Sequence, residues 1–139
     1  MNSLNKTFLP SEKYENRKWF IIDCKGQKLG RLATQVVHLL KGKGKPHYYP
    51  SVDIGDYVIL INADLIILKE NIEKYTVYNP GRPGSSLKRI TESLPSVAIE
   101  RAIKGMLSNS ETRKYFKRLN IYNTQDHPHQ AQNTIEFSI

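Results

Sequence analysis

Trp19-Phe-Ile-Ile-Asp-Cys-Lys-Gly-Gln-Lys-Leu-Gly-Arg-Leu-Ala-Thr-Gln-Val-Val-His-Leu-Leu-Lys-Gly42 changes its hydrophobic period once, and that change decides the fold. Residues 19–23 are an aromatic and β-branched run, which predicts a strand. Lys25-Gly26 predicts a turn. From Leu29, the apolar residues Leu32, Ala33, Val36, Val37, Leu39 and Leu40 recur at helical spacing, with Arg31, Gln35 and His38 on the other face. Gly42 stops the helix.

Outward from this unit, Tyr57-Val-Ile-Leu-Ile61 is apolar on both faces, as a central strand of an α/β sheet must be. Asn62-Ala-Asp64 predicts a turn into a second short strand, Leu65-Ile-Ile-Leu68, and Tyr75-Thr-Val-Tyr78 an edge strand. Pro95 opens a helix whose apolar side is Val97, Ala98, Ile99, Ala102, Ile103 and Met106. Ser108-Asn-Ser-Glu111 has capping-box spacing and starts a third helix, after which Leu119-Asn-Ile-Tyr122 returns as a strand. The order predicts a three-layer α/β/α sandwich around a small, mostly parallel four-stranded sheet. Residues 1–18 are expected to be an extended arm, 19–139 a single α/β domain, and 123–139 its polar tail.

The charge is strongly positive and uneven. The 139 residues hold 21 Lys and Arg against 13 Asp and Glu, a net charge of +8 and a pI of about 9.6. Between Asp23 and Asp53 there are Lys25, Lys28, Arg31, Lys41, Lys43 and Lys45 and not one carboxylate. Such unpaired charge repels itself unless a polyanion neutralises it. In Lys41-Gly-Lys-Gly-Lys-Pro-His-Tyr-Tyr-Pro50, lysine suits phosphate while His47 and Tyr48 suit stacking on bases. Arg31 belongs to the same basic stretch, as the solvated edge of the first helix. A second block, Arg113, Lys114, Lys117 and Arg118, reads as two like-charged i,i+4 pairs on the third helix, a mutually repulsive arrangement that a phosphate backbone relieves. Between the blocks, Asn79-Pro-Gly-Arg-Pro-Gly-Ser-Ser86 and the cations Arg82, Lys88 and Arg89 form a glycine loop suited to a narrow space between RNA strands.

Other chemistries find little support. Cys24 stands alone, so neither a disulfide nor a cysteine-based zinc site is possible within the chain. No apolar run reaches spanning length and the start lacks both a signal core and transit-peptide composition, so no membrane partner is expected and the protein is expected to work where it is made. Gly42-Lys-Gly-Lys45 follows a helix and meets Pro46, unlike a phosphate-binding P-loop. Asp53 and Asp56 around Gly55 suggest a turn leading into a strand rather than paired acids. His127-Pro-His129 beside Asp126 is the only cluster that suits a rival, a small α/β enzyme acting on nucleic acid; without more ligands it makes a weak metal site and is better suited to packing on RNA or protein. A DNA-binding regulator is disfavoured because neither helix junction has helix-turn-helix spacing. No catalytic residue, metal, cofactor or small-molecule substrate is expected.

Eight segments occur in a familiar order: Trp19–Asp23, Leu29-Gly-Arg-Leu-Ala33, Gly42-Lys-Gly-Lys-Pro46, Asp53-Ile-Gly-Asp-Tyr-Val58, Ile61-Asn-Ala63, Lys104-Gly-Met-Leu107, Leu119–Tyr122 and His127-Pro-His-Gln-Ala-Gln132. From residue 19 onward the chain closely resembles the bacterial- and plastid-type large-subunit ribosomal protein thirteen family. The resemblance implies a three-layer α/β fold, binding to large-subunit ribosomal RNA beside neighbouring ribosomal proteins, support of subunit assembly, and no catalysis. It places the RNA-facing segments at Lys41–Tyr49, around Arg82–Lys88, and at Lys104–Leu107 with the basic helix that follows. Two stretches depart from the family: Ser108-Asn109-Ser110 replaces Pro-Lys-Asn, and Ser85-Ser86 replaces a Gly-Gly pair. The arm segment Asn5–Pro10 is similar to cyanobacterial and plastid members, and the Ile, Asn, Lys and Tyr content fits an AT-rich genome. A plastid ribosome is therefore the expected location, with the bacterial cytoplasm as the alternative.

Overall fold

The computed structural model describes residues 9–10, 17–68, 76–78, 87–89 and 95–139, with the side chains of 76–78 and 87–89 excepted. The glycine loop and Arg82 lie outside the described residues, as does most of the arm, and Lys88 and Arg89 are described in backbone only. The elements are β1 (Trp19–Asp23), α1 (Leu29–Lys41), β2 (Tyr57–Ile61), β3 (Thr76–Tyr78), β4 (Leu87–Arg89), α2 (Pro95–Met106), α3 (Asn109–Tyr115), β5 (Leu119–Ile121) and β6 (Ile135–Glu136). Four strands form one sheet in the order β5-β2-β1-β6, and every pairing in it is parallel. The α/β sandwich with its small parallel sheet is thus what this sequence folds into.

Alternation along the strands sorts the two faces. Ile22, Val58 and Leu60 point to the helices and join Leu32, Val36 and Leu40 of α1 and Ile99 and Ile103 of α2 in one buried core. Trp19 and Tyr57, register partners on β1 and β2, point the other way and stack with ring centroids 4.2 Å apart. Cys24 is buried, and burial pushes its thiol up to about 12, so it carries no reactive thiolate at neutral pH.

The structure departs from the sequence reading at three places. Leu65–Leu68 is not a strand. Asn62 takes a left-handed conformation (φ 55°) and winds Ala63–Leu65 into a 3-10 turn. The chain then crosses to the start of α1, where the Ile67 carbonyl accepts the Leu29 N–H at 3.3 Å and only an isolated bridge to Lys28 remains. The edge strand at 76–78 lies in its own two-stranded antiparallel ladder with β4, for which the sequence reading had no strand. The polar tail adds β6 beside β1, with Phe137 N–H donating to the Ile21 carbonyl at 2.9 Å and the Phe137 ring packing edge-on against Phe20. Two residues are too few for a periodic signal, although the Ile135-Glu136-Phe137 alternation was present.

Ahead of β2, buried Asp53 and Asp56 flank Gly55. A buried carboxylate must be paired and hydrogen-bonded to be tolerated. Asp53 Oδ1 accepts from Arg118 Nη2 at 2.8 Å, and its Oδ2 lies 3.4 Å from Arg17 Nη2 and 3.6 Å from Lys114 Nζ. Arg118 also donates to the Gly55 carbonyl at 2.9 Å and to the Leu40 carbonyl at 3.1 Å. The second of these acceptors is one of the carbonyls that the last turn of α1 leaves unpaired. Gly42 ends that helix in the left-handed conformation (φ 72°), its N–H turned back to His38 and Leu39. Asp56 Oδ1 accepts from the Lys18 amide at 2.9 Å and from Lys45 Nζ at 2.6 Å, and the Lys45 ammonium also caps the Ile54 carbonyl.

Gly55 passes so close to α1 that a Cβ there would overlap the Leu40 carbonyl. Gly55→Ala is therefore expected to destabilise the fold by about 3 kcal/mol or more, read from urea unfolding midpoints. Arg118→Met leaves Asp53 with weaker partners and is expected to lose about 3 kcal/mol, while adding Asp53→Leu recovers part of the loss. Glu111 accepts from Lys41 Nζ at 2.9 Å and from the Ser108 amide at 3.2 Å, and the Lys41 hydrogen bond first, then Ser108, hold its carboxyl below the ordinary 4.5. A carboxyl lowered by folding stabilises above its unfolded value and ceases to do so as pH falls through its folded value. The stability advantage over Glu111→Gln should be present near neutral pH and vanish in acid, as denaturant titrations at both conditions would show.

Candidate nucleic-acid interface

The loop between α1 and β2 is a chain of turns: Lys45 N–H returns to Gly42, Tyr48 to Lys45 and Val52 to Tyr49. Its cations divide by partner. Lys41 reaches Glu111 and is mostly covered, and Lys45 is bound to Asp56 and Ile54. Lys43, His47 and Tyr48 face solvent, and Arg31 is exposed on α1.

The second block divides in the same way. Helix α3 ends at Tyr115, and Phe116–Arg118 form a 3-10 turn, so the four cations do not share one continuous helix. That change of winding turns Arg118 inward, where its guanidinium lies 5.1 Å over the Tyr115 ring and only 3% of the residue is exposed. Arg113, Lys114 and Lys117 remain on the surface, and Arg113 and Lys117 make no ion pair among the described residues. Lys104 on α2 is exposed, 3.5 Å from Glu100, with its ammonium 4.8 Å over the Phe116 ring.

The two blocks meet. The Lys41–Glu111 pair joins the end of α1 to the start of α3, and Arg118 joins the 3-10 turn to both the α1 terminus and the loop. Beside this seam lies a cleft of about 460 Å³, where, among the described residues, Arg17, Arg113, Lys114, Lys117 and Arg118 surround the carboxylate of Asp53. The described lining is thus rich in cations. Tyr57 and Ser110 complete its wall.

From Tyr57 an aromatic column leads to the histidines. Trp19 stacks on Tyr57, His129 lies 5.4 Å from Trp19, and His129 Nε2 shares a hydrogen bond of 2.8 Å with the Tyr122 hydroxyl. The His129 amide donates to His127 Nδ1 at 3.2 Å. Both rings are half-buried and pin the C-terminal segment to the sheet face opposite the helices.

Sequence reasoning overlooked Arg17 and the organising role of Asp53. Arg17 had been placed in a featureless arm, although its position just ahead of β1 held the signal. Asp53 read as a turn residue because the cations it gathers are remote in sequence.

A profile of the family described as ribosomal protein L13 matches residues 17–128. Large ribosomal subunit protein uL13c of Trieres chinensis is 48% identical over 134 residues, covering 96% of each chain. Large ribosomal subunit protein uL13 of Prochlorococcus marinus is 41% identical over 143 aligned positions, covering 98% of this chain and 95% of its own, and that of Synechococcus elongatus matches to the same degree. With the profile spanning most of the sequence and these relatives aligning almost end to end, the chain belongs to the ribosomal protein L13 family.

Proposed function

We propose that this chain is a structural constituent of the large ribosomal subunit, bound to large-subunit ribosomal RNA, in contact with neighbouring ribosomal proteins, and a support for subunit assembly. One observation carries the reading beyond family membership: two basic segments remote in sequence are clamped onto one surface, with cations left over after internal pairing. The exposed groups Lys43, Arg113, Lys117, Arg31, His47, Tyr48, Lys104 and Lys114 are the direct RNA contacts in this reading. Lys41, Lys45 and Arg118 act one step back, holding the loop and the 3-10 turn in place. His127 and His129 shape the flank of the same surface. Arg82, Lys88 and Arg89 extend it on the strength of the sequence alone. Binding is then driven by counterion release from the phosphate backbone, with the α/β body setting the register.

The family and the engagement of both histidines in packing favour this role over catalysis at His127 and His129. We favour a plastid ribosome, which the 48% identity to the protein named uL13c supports against 40–43% for the cyanobacterial proteins. A bacterial-type ribosome of cyanobacterial kind is the alternative.

The chain should sediment with large ribosomal subunits, and its affinity for purified large-subunit RNA should fall steeply with salt. Lys43→Gln is expected to flatten the log–log salt slope by about one unit, as loss of one phosphate contact does. Lys45→Gln should instead lower the unfolding midpoint. An affinity indifferent to salt would overturn this function.

A further inference from the structure

The cleft over Asp53 has features that a merely solvated basic surface lacks. Its cations come from the segment ahead of β1, from α3 and from the 3-10 turn after it, so they converge rather than spread. Its floor is a carboxylate whose charge is already met by Arg118 at 2.8 Å and Arg17 at 3.4 Å. Lys114, at 3.6 Å and half exposed, is the loosest partner, and Arg113 and Lys117 have no ion-pair partner among the described residues. Arg118 itself is 3% exposed and is taken up by Asp53, Gly55 and Leu40, so it anchors the floor while the outer cations stay available.

We propose that this cleft is a pocket for a single RNA backbone phosphate, held by Arg113, Lys114 and Lys117. The inference rests on the RNA-binding reading above and adds a fixed point to it. Guanidinium and ammonium groups meet phosphate through charge-assisted hydrogen bonds, which Arg donates in a fork of fixed geometry. The Asp53 carboxylate does not exclude the anion, because Arg118 and Arg17 neutralise it from below. The concave wall, with Tyr57 and Ser110 at its sides, suits one protruding phosphate of an irregular or unpaired stretch better than a smooth duplex ridge.

The full chain, isotope-labelled, is titrated with inorganic phosphate at constant ionic strength while the Nε–H resonances of Arg113 and Arg118 are followed, with acetate as the control anion. A saturable phosphate-specific shift is expected, weakened in Arg113→Gln/Lys117→Gln, both surface changes. Ser110→Asp, which adds charge to the wall and removes no cation, should weaken it too and keeps the test valid if the double variant folds poorly. In parallel, the double variant should flatten the salt slope for large-subunit RNA by about one to two units. The pocket is overturned if the shifts are absent or equal for acetate, or if both variants leave phosphate titration and RNA slope unchanged while the parent chain still binds RNA. A saturable phosphate shift in a chain that does not bind large-subunit RNA supports the pocket and overturns the functional reading instead.

Discussion

A single buried carboxylate, Asp53, determines where the positive charge of this protein goes. Its desolvation is offset by Arg118, Arg17 and Lys114 and by the Gly55 amide. Arg17 precedes β1 while Lys114 and Arg118 precede β5, so satisfying one anion draws segments remote in sequence to the start of β2. The Arg118 guanidinium then has donors left for the Leu40 and Gly55 carbonyls, which locks the end of α1 onto the loop. Removing the carboxylate would strand a buried guanidinium and free the seam along which both basic segments meet.

Asp56 and Glu111 repeat this logic at either side. Each takes one lysine of the α1–β2 loop out of circulation, Lys45 and Lys41 respectively, and ties it to a neighbouring element. The repulsion within a protein of net charge +8 is thereby relieved at the seam, where it would otherwise push the elements apart. What remains outward is a smaller set of cations on a rigid support. Charge that stabilises the fold and charge left facing solvent are carried by the same residue types a few positions apart.

This division explains which parts of the molecule were legible beforehand. The strands 19–23 and 57–61 and the helices at 29 and 95 carry long apolar periods, and the capping box at Ser108 names its own helix. Leu65–Leu68 misled because an apolar run of four is equally good material for a turn that crosses to another element. Glu136 and its neighbours hid in polar company, since a two-residue strand is defined by its partner rather than by its composition. Among the cations, the family resemblance and the charge pattern could not tell Arg118 from Arg113. Their orientation depends on where α3 stops and a tighter turn begins, and that is settled by tertiary contact with Asp53. The arginine's inward turn is therefore invisible to any argument built on i,i+4 spacing.

The all-parallel sheet carries a cost of a different kind. Parallel neighbours cannot be joined by tight turns, and here β1 is flanked by β2 on one side and by β6 on the other, with Phe20 opposite Ile135. No two strands of the main sheet are joined by a hairpin, so each ladder closes a long loop before any contact rewards it. Until residues 135–136 dock, β1 keeps a row of open amides and carbonyls with Phe20 beside them, an adhesive edge on a chain rich in positive charge. The same charge that keeps such intermediates apart would draw them to RNA, so folding and capture by a polyanion become competing fates of one transient edge.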